Sequence, residues 1–133
     1  MYYLDTGYVE INTEGHTPRL MALEKLTAQE QELIRQAMNA ILSGPFIDDF
    51  EFRTRLGIDR PQLREVLASW PTLDADENVK VCLAINNCLN ETLRGVYVGP
   101  KDWADWFTAS KEDLAAVYLR WSNLKGYHAT SIR

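Results

Sequence analysis

The sequence predicts a mainly α, compact, non-parallel helical domain of four to five helices, with a short N-terminal β-hairpin against them. Three observations lead there. Apolar residues recur at helical spacing over residues 33–42, 79–93 and 114–124. A capping residue precedes each of these runs, and Gly or Gly-Pro follows it. Strict alternation of apolar and polar residues is confined to the first few positions. Mixed helix lengths and short connections argue against a regular coiled bundle.

The elements follow in chain order. Residues 1–26 read as extended. Tyr8-Val9-Glu10-Ile11 alternates, Asn12 to Pro18 is turn-rich, and Arg19 to Leu23 is the expected return strand. A lone hairpin is marginal in water, so this one has to lie on the helices. Val96-Tyr97-Val98, between Gly95 and Gly99, would add a third short strand. Thr27 and Glu30 have the spacing of a capping box, and Leu33, Ile34, Ala37, Met38, Ile41 and Leu42 mark one helical face. Gly44-Pro45 ends that helix. Asp48 or Asp49 opens a second helix reaching Leu56. Asp59 caps a third, with Pro61 in its first turn and Pro71 as its stop.

Asp74 or Asp76 is the expected cap of a fourth helix, Glu77 to Arg94, apolar around much of its girth and therefore central. A short turn after Gly99-Pro100 carries Trp103, Trp106 and Phe107. Ser110 and Asp113 then cap a last helix, Lys111 to Lys125, which stops at Gly126. Residues 1–133 thus read as one domain, with a helical core over 27–126 and a loose tail over 127–133.

The chain has 133 residues, of which 46% are apolar and 25% charged. That balance suits a folded core rather than a disordered chain. No apolar run is long enough to span a membrane, and the first residues lack the pattern of a signal peptide, so the expected location is cytoplasmic. Cys82 and Cys88 lie six residues apart on one helix and face different ways, so they are expected to be free structural thiols. With two histidines, His16 and His128, far apart, no metal site or cofactor is expected.

The net charge of −5 argues weakly against general nucleic-acid binding. The arginines nevertheless gather in Phe52–Pro71, which reads as helix, glycine turn at Gly57, and helix. Phe52, Leu56, Ile58, Leu63 and Val66 have the apolar spacing of a helix-turn-helix unit. In that reading Arg53, Arg60, Gln62 and Arg64 contact DNA. The plainer alternative pairs the arginines with Asp48, Asp49 and Glu51 on a solvated face.

The second candidate surface is aromatic. Trp103 and Trp106 are three residues apart, and Tyr118 and Trp121 repeat the spacing. Such rings are either core or anchors for a partner. Trp103, flanked by Asp102 and Asp105, is expected to be the most exposed. Asn86 and Asn90, one helical turn apart, could bond a partner or form the wet edge of an apolar helix. Leu4-Asp5-Thr6-Gly7 resembles the active-site loop of aspartic proteases, over four residues. That family is all-β, whereas this chain is helical, and a tight turn accounts for the residues. No Cys–His pair, Ser–His–Asp order or phosphate-binding glycine loop is present.

The leading expectation is a non-catalytic protein that binds another protein or itself through Trp103, Trp106, Tyr118 and Trp121. The runner-up is a helix-turn-helix DNA-binding regulator. The third is a small enzyme whose site does not show in sequence.

Overall fold

The computed structural model describes residues 18–72, 74–75 and 78–127. Among them are six α-helices and no strand: α1 (Ala28–Ser43), α2 (Asp49–Leu56), α3 (Arg60–Ala68), α4 (Val79–Asn90), α5 (Pro100–Trp106) and α6 (Lys111–Lys125). A 3-10 helix, Pro18–Lys25, precedes α1, and a π turn, Glu91–Gly95, continues α4. None of the described helices is long and apolar enough to cross a membrane.

Several ends form for the reasons visible in sequence. The Thr27 hydroxyl accepts from Glu30 N at 3.0 Å while Thr27 N donates to Glu30 Oε1 at 2.8 Å, closing the capping box of α1. Asp59 and Gln62 make the same reciprocal pair at the start of α3, with both bonds at 2.9 Å. Ser110 Oγ accepts from Asp113 N at 3.0 Å to start α6. Gly57 and Gly126 end α2 and α6 with φ of +76° and +88°, values that disfavour a Cβ.

Helices α1 and α4 are the inner pair. Each packs against the other, and both touch α3 and α6. Ile34, Met38 and Ile41 of α1 share one buried cluster with Ile85, Cys88 and Leu89 of α4, with Phe52, Leu56 and Leu63, and with Leu114, Tyr118 and Trp121. All of these side chains are buried, which is what the broad apolar girth of α4 requires.

Three expectations change. Arg19–Leu23 is not a return strand but part of the 3-10 helix, because Ala22, Leu23 and Leu26 bury against α6 at helical rather than alternating spacing. The strand expected at Tyr8–Ile11 lies outside the described residues. Val96 is extended, but residues 96–98 join no ladder. Asp74 does not cap α4. Asn78 stands at that position, though its side chain does not cap the helix, and the Asp74 carboxylate bonds Trp121 and Leu23 instead. Asp76, the other expected cap, lies outside the described residues.

Candidate functional site

Tyr118 and Trp121 are core, not surface. They are 1% and 0% exposed, because Leu114, Val117, Tyr118 and Trp121 form the single apolar stripe of α6. The Tyr118 hydroxyl donates to Asn86 Oδ1 at 2.7 Å, Asn86 Nδ2 donates to Asn87 Oδ1, and Asn87 Nδ2 donates to Leu56 O. Asn86 is thereby committed inside the fold. Burial pushes the Tyr118 hydroxyl up to about 12, with the nearby Arg94 charge opposing. Trp121 Nε1 donates to the buried Asp74 Oδ2 at 2.7 Å, and Leu23 N donates to Asp74 Oδ1 at 3.2 Å. Lys125 Nζ bonds the Asp74 carbonyl. Asp74 thus ties the 3-10 helix, the loop before α4, and α6 together.

Trp103 and Trp106 are half-buried. Trp103 stacks on Phe107 with ring centroids 4.2 Å apart, and its Nε1 donates to Ala109 O at 2.7 Å. Trp106 sets its ring edge-on to Phe46. The flanking acids do not hold Trp103 in solvent, because one face of α5 lies on the core and the indole N–H finds a carbonyl.

The arginine segment is also largely committed to the fold. Arg60 bonds Ile47 O at 2.7 Å and Leu42 O at 2.5 Å, pairs with Asp49 at 2.6 Å, and lies 4.3 Å from the centre of the Phe52 ring. Gln62 caps its own helix. Neither projects toward a groove. Arg53 stands outward, with its guanidinium 3.8 Å from Asp59. Arg64 is exposed. Pairing with Asp49 and Glu51, the plainer alternative, is realised by Arg60 and by Arg55.

A surface that the sequence reading did not single out lies elsewhere. Phe50 of α2 is 80% exposed and Tyr97, after the π turn, is 83% exposed. Phe52 and Leu56 take the buried face of α2, and Phe50 sits two residues, about 200°, from Phe52. That angle is the signal that could have found it. Arg55 joins the two neighbourhoods. It reaches Glu51 at 3.5 Å, Glu91 at 2.6 Å and Gly95 O at 3.1 Å, so the residue after Phe50 and the segment before Tyr97 are bound to one guanidinium. A Cβ on Gly95 would lie 2.1 Å from Glu91 Oε1, so a side chain there would have to displace the carboxylate that pairs with Arg55. Asp48, Asp49 and Glu51 surround Phe50 in sequence with negative charge.

Among the described residues no group of three or more His, Cys, Asp or Glu could hold a metal ion. Burial, with the Glu91 charge adding, pushes the Cys88 thiol well above the ordinary range, which keeps it a poor nucleophile. The Asp5 loop lies outside the described residues. Comparisons with protein-family models, with curated proteins and with solved structures give no match to this chain.

Proposed function

We propose that this protein is a non-catalytic binding module that docks a protein partner through Phe50 and Tyr97. The observation that carries the reading is their exposure, 80% and 83%, in a chain whose Phe52, Phe107, Tyr118 and Trp121 are buried. Exposed aromatics held on a rigid frame lose little conformational freedom on binding, which is why such residues anchor interfaces. The Arg55 bridge supplies the frame. Of the acids beside Phe50, Asp49 and Glu51 already pair with Arg60 and Arg55, so the aromatic rings rather than net charge carry the docking.

The test compares the wild-type chain with the double variant Phe50→Ser, Tyr97→Ser. Sedimentation velocity across a concentration series reads self-association, and affinity capture at low and high salt reads a foreign partner. The expected result is a partner bound by the wild type and lost in the variant by about tenfold or more, the mark of a hot spot, with an unchanged melting temperature. Equal behaviour of both chains in both assays overturns the proposal.

A further inference from the structure

Between the π turn and the first turns of α6 lies a groove of about 280 Å³, lined by Leu93, Arg94, Lys111, Glu112, Ala115 and Tyr118. It opens where the backbone widens, with Val96 N bonding back five residues to Glu91 O at 2.9 Å, and where α6 carries only the short side chain of Ala115. Widened turns of this kind recur at functional sites. The charges around the groove balance. Arg94 and Lys111 stand against Glu112 and the adjacent, exposed Asp113, and Arg94 is already engaged within the fold. Leu93, Ala115 and the Tyr118 ring supply carbon. A carbon-lined groove with a balanced rim suits an uncharged group that is apolar along its body and polar at its tip. A phenol side chain is such a group.

Among the described residues the most exposed phenol is that of Tyr97. At roughly 30 Å³ for each non-hydrogen atom, its side chain needs about 240 Å³. Its exposure shows that it does not fill the groove of its own chain. Leu93, in the groove wall, is four residues away, at most about 14 Å of backbone. Ring and groove therefore belong to one side of the molecule. A second copy that places its ring in this groove can receive this chain's ring in its own, about a two-fold axis that closes the assembly at two. Each ring covers about 150–250 Å². Two rings and the linings they cover bury about 600–1,000 Å² in all, the range of weak, reversible association. The net charge of −5 repels a second copy at long range, and salt at about 0.15 M screens that repulsion beyond about 8 Å.

We propose that the partner of the Tyr97 surface is a second copy of this chain, each copy seating its Tyr97 ring in the other's groove. The hydroxyl then emerges at the rim, where the Glu112 carboxylate can accept from it. The proposal rests on the reading of Tyr97 as a docking residue and names what it docks to.

Sedimentation of the full chain over a concentration series, in about 0.15 M salt, should show a monomer–dimer equilibrium. Tyr97→Ser and Ala115→Phe, the second at an exposed position where it fills the groove, should each weaken it by about tenfold or more. Tyr97→Phe, which keeps the ring, should lose less than either. Melting temperatures should stay unchanged. An isotope-labelled Tyr97→Ser chain is then titrated with unlabelled Ala115→Phe chain, so that one copy offers only a groove and the other only a ring. Amides at 93–94 and 111–118 of the labelled chain should shift and saturate, and an unlabelled chain carrying both substitutions should shift none of them. Should Ala115→Phe fail to fold, unlabelled wild type takes its place, with unlabelled Tyr97→Ser as its control. A monomeric wild type, self-association untouched by Tyr97→Ser or by filling the groove, or shifts that persist without the ring would each overturn the proposal. Capture of a foreign partner that depends on Phe50 and Tyr97, with no self-association, overturns this inference and leaves the docking reading standing. Absence of both overturns the two together.

Discussion

Replacing Arg60 by Ala should cost about 3 kcal/mol of stability. The guanidinium bonds two carbonyls, Leu42 O at the end of α1 and Ile47 O in the connection to α2, so one side chain of α3 fastens the turn between the first two helices. Hydrogen bonds to a charged donor contribute about 1.5–3 kcal/mol each when buried. The Arg60 side chain is 23% exposed, and water can reach part of what the substitution uncovers, so about 1 kcal/mol per carbonyl is the appropriate figure. The contact over Phe52 adds about 0.5–1 kcal/mol. The pair with Asp49 adds almost nothing, since the Asp49 side chain is 88% exposed. For 133 residues the entropy of unfolding is about 0.28 kcal/mol per degree, so the melting temperature should fall by about 10 °C. Urea unfolding followed by circular dichroism measures the difference directly. Arg60→Lys should recover less than half of the loss, because an ammonium cannot span both carbonyls and the ring. Arg64→Ala, at an exposed position, should stay within about 0.5 kcal/mol of wild type. A loss below about 1 kcal/mol for Arg60→Ala would refute the argument that Arg60 is a structural clamp. Loss of salt-sensitive duplex binding in that variant, with stability intact, would restore the DNA-contact reading.

Trp121→Phe should destabilise by about 2–4 kcal/mol, since it leaves the buried Asp74 Oδ2 without its indole donor and opens space in the core; thermal melting checks it. Trp103→Ala should lower stability by about 2 kcal/mol through the lost Phe107 stacking and the vacated Ala109 carbonyl, which a melt separates from any change in association. Stability should fall with alkaline pH. The Tyr118 hydroxyl ordinarily titrates near 10 and is raised to about 12 in the fold, so the unfolded chain loses its proton first and up to about 2–3 kcal/mol disappears between those values. Tyr118→Phe should flatten that part of the pH profile. In thiol labelling of the native protein, half-buried Cys82 should react before Cys88, and Cys88 should react only on unfolding; equal fast labelling of both would contradict the placement of α4.

The helices and several of their ends were determined by sequence alone. Thr27 with Glu30, Asp59, Ser110 and the glycines at 57 and 126 act within a few residues, so their physics is local and legible. The amphipathic stripe of α6 likewise implied that Tyr118 and Trp121 belong inside, although spacing alone also admitted a surface role. Tertiary structure decided the rest. Arg60 looks like a groove-reading residue until Leu42 O and Ile47 O, 18 and 13 positions away, come within reach of it. Asp74 looks like a helix cap until Trp121 and Leu23 supply donors from other parts of the chain. Arg19–Leu23 carries no strong local preference, and burial of Ala22 and Leu23 against α6 turned it helical. Phe50 and Tyr97 became notable only once Phe46, Phe52, Trp70, Trp103, Trp106, Phe107, Tyr118 and Trp121 had been given their places in or against the core. A charged or aromatic side chain reaches several ångströms for partners that sequence distance does not reveal, so its role is fixed by which carbonyls, carboxylates and rings the fold brings to it.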